Sequence, residues 1–158
     1  DILVRRLMER TFDLAFVYEP AKITDLISSE VAQSDLILVS SIKNQELNDA
    51  VNKDHVSIDW GTAFDINYTQ FYKEVNPPVL YTTLAGIALD FILIHGGSAY
   101  LPQRMVKNHL DSTLFLVKKA PVFNRSIYAC YHKENRNTDL INKILSIVEL
   151  TLEKDRQR

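Results

Sequence analysis

Short apolar runs alternate with amphipathic helical patterns along the whole chain of 158 residues. Runs of aliphatic and aromatic residues bounded by proline or glycine are typical of strands, whereas apolar residues spaced three and four apart are typical of helices. No repeat or low-complexity segment interrupts this alternation. Strands that alternate with helices in this way predict an α/β fold.

The apolar patterns also give the approximate positions of the elements. The continuous run Leu14–Tyr18 predicts a strand covered on both faces, and Leu84–Ile94, which is apolar all round, predicts a buried helix that Thr82 or Thr83 caps. Further strands are predicted at 35–40, 55–60, 79–81, 99–101, 114–117 and 126–131, and further helices at 2–11, from 62, from 102 and around 138–152.

Composition narrows the class of protein. With 46% hydrophobic and 24% charged residues, the chain is globular rather than disordered. Eighteen basic residues against 20 acidic ones give a net charge of -2, which lacks the basic excess of a nucleic-acid-binding domain. The single cysteine, Cys130, excludes an internal disulfide and any multi-cysteine metal site, and it fits a reducing compartment.

The chain carries no pattern for a targeting or membrane segment. The longest apolar stretch, Leu84–Ile94, contains Asp90 and is shorter than the roughly 20 residues that a membrane span needs. Asp1 stands where a start methionine is expected, and no signal-peptide pattern follows it. We therefore expect a cytoplasmic chain that is a piece of a longer protein.

Several kinds of catalytic and cofactor site are excluded by the residue types present. The four glycines, Gly61, Gly86, Gly96 and Gly97, cannot form a P-loop or a dinucleotide-binding fingerprint. His95-Gly96-Gly97 is similar to an oxyanion-hole loop, but no GxSxG nucleophile motif accompanies it, and a left-handed C-terminal cap of the preceding helix is the simpler interpretation. The four histidines have no metal-ligand spacing, so we expect no metal. Because the other motifs are missing too, we also expect no cofactor and no catalytic residue.

The order of these segments resembles the effector-binding domain of LysR-type transcriptional regulators. Segment 56–64 is similar to a narrower branch of that family, the regulators described as repressing the flagellar master operon. The segments that carry the resemblance are Phe12-Asp13-Leu14-Ala15-Phe16-Val17, Leu36-Ile37-Leu38-Val39, Val56-Ser57-Ile58-Asp59-Trp60-Gly61-Thr62-Ala63-Phe64, Gly97-Ser98-Ala99-Tyr100-Leu101-Pro102, and Arg125 with Tyr128 and Tyr131.

The resemblance implies a two-lobed fold like that of periplasmic solute-binding proteins, with a small effector in the cleft between the lobes. Residues 1–42 would form part of lobe I, residues 43–134 lobe II, and residues 135–158 a terminal helix that returns to lobe I. The family's domain starts with a strand, a helix and a second strand that would precede Asp1, so lobe I is expected to be truncated. The resemblance also implies homodimers or tetramers, and DNA binding only through a winged helix-turn-helix that this sequence lacks.

Gly61-Thr62-Ala63-Phe64 is the first candidate ligand site. A strand that turns at glycine into a helix leaves backbone N–H groups unpaired at the positive end of the helix dipole, and the Thr62 hydroxyl adds a donor. In the family this loop faces the effector. The alternative is that Gly61 and Thr62 only start the helix.

Tyr81-Thr82-Thr83 forms a second strand-to-helix turn, and two such turns beyond the carboxyl ends of strands are a usual ligand site in α/β folds. Because two helix N-termini with unpaired N–H donors are paired there, we expect a small anion or carboxylate. Neither turn contains lysine or arginine, so dipoles rather than a counter-charge would hold it. Tyr18 and Glu19 are further ligand candidates from lobe I, and Trp60 could stack on a ligand. The alternative for Tyr81-Thr82-Thr83 is simple helix capping. Glu19 could equally be a solvated loop acid, and Trp60 could serve only to pack its lobe.

A second class of function also stays open at this point. A solute-binding protein or an enzyme could share the two-lobed fold. The absent nucleophile, metal and phosphate motifs count against an enzyme, and the single cysteine counts weakly against a periplasmic carrier.

Overall fold

The chain folds into two compact units. Unit 1 comprises Asp1–Ser34 and Arg125–Arg158, and unit 2 comprises Asp35–Asn124. The computed structural model describes residues 2–156, with side chains as far as Leu152. Asp1 and residues 157 and 158, which the sequence analysis assigns to the ends of lobe I, lie outside the described residues.

Helices and strands alternate, as the sequence predicts. In chain order they are α1 (Ile2–Met8), β1 (Ala15–Val17), β2 (Leu26–Ser40), α2 (Leu47–Asn52), β3 (His55–Ile58), α3 (Thr62–Phe71), β4 (Leu80–Thr82), α4 (Ala85–His95), β5 (Ser98–Pro102), α5 (Gln103–Val106), β6 (Phe115–Leu116), β7 (Phe123–His132) and α6 (Thr138–Arg156).

Unit 1 has a small core between strands and helices. β1 pairs antiparallel with β7, and β7 neighbours β2. Leu7 of α1 is fully buried against the inward-facing residues of the strands, which are Ala15, Val17, Leu26 and Cys130. The chain passes between the two units within β2 and again within β7.

Unit 2 is built on a sheet whose central pairings are parallel. β3 pairs in parallel with β5 on one side and with β4 on the other. β5 pairs antiparallel with β2, which also takes the short strand β6. Because parallel neighbours need a crossover connection, α3 links β3 to β4, and α4 then returns the chain from β4 to β5 on the other side of β3.

An aromatic cluster joins α3 to this sheet. The hydroxyls of Tyr72 and Tyr100 lie 2.7 Å apart, and the Tyr100 hydroxyl donates to the Pro121 carbonyl at 3.2 Å. The rings of Phe64 and Tyr68 pack against Tyr100, with centroids 5.6 and 6.0 Å away. Burial raises the pKa of Tyr68 to about 12, so its phenol stays neutral.

Several predictions on local structure were wrong. β2 begins at Leu26 rather than near Asp35, because its first half carries polar, exposed residues that hide the strand pattern. Phe16 is exposed, so within the described chain β1 is covered on one face only. The helix α4 is not fully buried, since it leaves Ile87, Leu93 and Ile94 exposed. Its N-cap is Leu84, which is also exposed, rather than a threonine.

Gly96 and Gly97 end α4, as predicted, and both have positive φ angles, of 81° and 114°. The predicted left-handed conformation is wrong for Gly96, because its ψ of 179° lies outside the left-handed helical region. Gly97 is buried, and a Cβ atom placed there would fall far inside van der Waals contact with the Asp54 carbonyl oxygen. Glycine is therefore required at 97 for both its φ angle and the close approach of the backbone.

We predict that Gly97→Ala lowers the free energy of unfolding by about 2–4 kcal/mol, because backbone strain adds to a steric overlap that no flexible side chain can relieve. Urea denaturation followed by circular dichroism measures this. Gly86→Ala is the matched control, since nothing lies within 4 Å of its Cβ position in α4. That variant should be neutral or stabilising by up to about 1 kcal/mol. Equal effects of the two substitutions would contradict the prediction.

Candidate functional site

The two predicted strand-to-helix turns lie side by side in unit 2. Ile58, at the end of β3, is in register with Thr82, at the end of β4. The next N–H group along, that of Asp59, donates to the Thr82 carbonyl at 2.9 Å. The carboxyl ends of two parallel strands therefore place both turns at one edge of the sheet, which is the usual ligand-binding edge of α/β folds.

The first turn presents free donors at the start of α3. Gly61 is the N-cap residue, with a φ of 91° that favours glycine, and no side chain caps the helix. Its carbonyl accepts the first helical hydrogen bond, from the Asp65 N–H at 3.2 Å. The N–H groups of Thr62, Ala63 and Phe64 precede that bond and so lack helical acceptors. Thr62 and Ala63 are exposed to solvent.

Two carboxylates flank the same turn. The Gly61 N–H donates to the Asp59 Oδ1 at 3.0 Å, so this donor is already satisfied within the protein. Partial burial and the nearby Asp59 carboxylate raise the pKa of Asp65, which lies in the first turn of α3. Sequence analysis missed this effect, although Asp59 and Asp65 stand immediately beside the motif. Both carboxylates repel an anion and therefore weaken the attraction that the helix dipole exerts on it.

The second turn is polar and open. Tyr81 is 63% exposed, and its pKa is raised by desolvation and then by Asp59 and Asp65. The Thr82 hydroxyl accepts the Leu84 N–H at 3.1 Å, which orders the turn before α4. Thr83 is exposed. The structure thus gathers Tyr81, Thr82 and Thr83 beside the first turn.

Two of the candidate residues lie against the core of unit 2. Trp60 is 9% exposed, and its indole N–H donates to the Tyr100 carbonyl at 3.1 Å. Phe64 is half-buried, with its ring edge-to-face against Phe123 at 5.1 Å. Both side chains anchor the turn to the sheet.

Tyr18 and Glu19 belong to unit 1 and follow β1. The Tyr18 ring lies 3.3 Å from the guanidinium carbon of Arg125. Tyr18 also lines an apolar cavity of about 370 Å³ together with Phe16, Val31 and Val148. Glu19 is exposed.

Among the described residues, no group of three or more His, Cys, Asp or Glu side chains is arranged to hold a metal ion. In the same part of the chain, no helix is both long and apolar enough to cross a membrane.

Curated proteins similar to this chain are transcriptional regulators. The HTH-type transcriptional regulator HdfR of Yersinia enterocolitica is 28% identical over 152 residues, which covers 90% of this chain and 51% of that protein. The regulator of the same name from Yersinia pestis is 26% identical over the same shares. The chain therefore spans about half the length of the curated relatives it matches. No protein-family model matches it.

Solved structures with the same fold are regulatory domains or whole regulators. The bromide-bound regulatory domain of HypT from Salmonella typhimurium superposes with a TM-score of 0.77 at 14% identity and covers 94% of this chain and 78% of that one. Vibrio fischeri DarR in complex with DNA gives 0.71 at 13% identity, with 92% and 55% covered. The predicted fold class, an α/β domain of the two-lobed periplasmic-binding-protein type, is confirmed.

Sequence similarity and fold point to the same family. The relatives are named as regulators with a helix-turn-helix, and the structures are described as LysR-type. The resemblance of this chain to the effector-binding domain of LysR-type transcriptional regulators, predicted from its sequence, is confirmed.

Proposed function

We propose that this chain is the ligand-sensing and dimerisation domain of a LysR-type transcriptional regulator. A small effector binds it and thereby changes how a winged helix-turn-helix, elsewhere in the whole protein, binds DNA. The similarity to HdfR and the fold shared with DarR, whose structure contains DNA, support this function. The net charge of -2 supports a domain that makes no phosphate contacts of its own.

The proposed effector site rests on one observation, which is that two strand-to-helix turns lie side by side in unit 2. The β3 and β4 register brings Gly61–Phe64 beside Tyr81–Thr83, with backbone donors and threonine hydroxyls at one edge. A ligand of at least two polar groups can therefore contact both turns. Tyr18 and Glu19 remain candidates for a contribution from unit 1.

We infer an anionic group on the effector, seated at the N–H groups of Thr62, Ala63 and Phe64. HypT, which has the same fold, has been solved with bromide bound, and this supports an anion site in the present domain. The Asp59 and Asp65 carboxylates lower the affinity for such a group. Binding is therefore modest and depends strongly on donors such as the Thr62 hydroxyl.

Self-association is the second part of the proposal. α4 exposes a row of large aliphatic residues, and Ile94 is 75% exposed. An apolar face of this kind on a protein whose family forms dimers supports a contact between two copies. The copies form a homodimer or a tetramer.

No specific observation favours the alternative that the chain is a solute-binding protein or an enzyme with a similar fold. The relatives that match the sequence are transcriptional regulators. We propose that the chain is not an enzyme.

Replacing Thr62 with Val keeps the shape of the side chain but removes its hydroxyl, so we predict that anion affinity falls about fivefold to thirtyfold. Calorimetry measures this with acetate, benzoate, phosphate and sulfate as probes. Thr69→Val is the matched control in the same helix, because the Thr69 hydroxyl donates to the Asp65 carbonyl at 2.8 Å. A β-branched residue at Gly61 should also weaken binding. A bound anion that neither Thr62→Val nor the Gly61 substitution affects would show that this loop is structural.

Placing a charge on the exposed face of α4 should disrupt self-association. We predict that Ile94→Glu weakens it at least about tenfold, because a carboxylate would be buried in the contact. Sedimentation over a range of protein concentrations measures this. Ile66→Glu is the control, since Ile66 is an exposed isoleucine on α3. Unchanged association of Ile94→Glu, or a wild-type protein that stays monomeric at high concentration, would contradict the proposal.

A further inference from the structure

Unit 2 contains a cavity that the proposed effector site does not use. It is wide and open to solvent, with five of its six lining residues exposed, and its volume of about 560 Å³ is within the range typical of small-molecule sites. It lies between the second half of α3 and the start of β7. Its lining residues are Asn67, Gln70, Phe71, Val122, Phe123 and Asn124. Gln70 is about 12 Å along the helix axis from Thr62, so the cavity is away from the N–H groups at the helix start, although Phe123 in its lining also contacts the Phe64 ring at 5.1 Å.

The lining combines side-chain amides with aromatic rings and contains no charged residue. In the part of the chain that the structure describes, the amides of Asn67 and Gln70 have no hydrogen-bond partner within the protein. They lie three residues apart on α3, and therefore on one face of the helix. Each amide can both donate and accept, which suits hydroxyl groups that do the same.

The third amide and the rings are held in fixed positions. Asn124 Nδ2 donates to Asp35 Oδ1 at 2.6 Å, which orients its carbonyl. Phe123 packs against Tyr100 with ring centroids 5.0 Å apart, and it forms a rigid, half-buried part of the lining. Phe71 packs edge-to-face on Tyr72 and is still 51% exposed. The cavity thus offers an accessible aromatic surface beside three amides.

We propose that this cavity binds a neutral polyhydroxylated ligand of the monosaccharide class. The apolar C–H face of a sugar ring packs on Phe71, while its hydroxyls bond with the amides of Asn67, Gln70 and Asn124. An anionic or cationic ligand would find no counter-charge among the lining residues. The absence of charge in the lining therefore selects for neutral ligands.

The test uses the protein as its gene encodes it, with glucose, galactose, mannose, ribose and N-acetylglucosamine as probes. Saturation-transfer NMR and calorimetry should show saturable binding of at least one of them, with a Kd below about 10 mM. Gln70→Ala and Phe71→Ala should each weaken that binding about fivefold to tenfold. Gln103→Ala, an exposed glutamine on α5 outside the cavity, is the matched control and should change nothing.

Three results would overturn the proposal. These are no saturable binding of any probe, tighter binding of gluconate or glucose 6-phosphate than of the neutral sugars, and sugar affinity unchanged in Gln70→Ala. If Phe71→Ala does not fold, Asn67→Ala takes its place, because Asn67 is exposed and makes no core contact. Thr62→Val should leave sugar binding intact, which separates this proposal from the effector site.

Discussion

The parallel pairing of β3 with both β4 and β5 is the constraint on which unit 2 depends. Parallel neighbours cannot be joined by a tight turn, so α3 and α4 must each cross over the sheet. The same pairing places the carboxyl ends of β3 and β4 together and fixes where each helix begins. The candidate effector site therefore follows from strand direction.

Buried polar contacts hold this arrangement in one register. Ser98 donates to the Ala50 carbonyl, and its Oγ lies 2.8 Å from Nδ1 of His55, which ties β3 and β5 to α2. Burial lowers the pKa of His55 to about 4, so the imidazole stays neutral near pH 7 and adds no charge to the core. The Tyr72–Tyr100 hydroxyl pair performs a similar role for α3. With its second half fixed in this way, α3 presents its first turn in a defined position.

The sequence allowed the α/β class, the family resemblance and both turns to be predicted, because strand periodicity and glycine-to-helix transitions are local signals. The exposed face of α4 could not be predicted from the apolar run alone, since that run does not show whether a partner element covers it. The effect of Asp59 on Gly61 was predictable in principle, because the two residues lie only two positions apart in the sequence. The amide-lined cavity was not, since Asn67 and Asn124 are brought together only by the tertiary fold.

The effector is proposed to bind where the carboxyl ends of β3 and β4 lie side by side. The most direct measurement is a crystal structure of the protein with the tightest-binding small anion. We predict electron density for its charged group within hydrogen-bond distance of the Thr62–Phe64 N–H groups, with further contacts to Thr82 or Thr83. Density only elsewhere, with the Gly61–Phe64 turn empty, would contradict it.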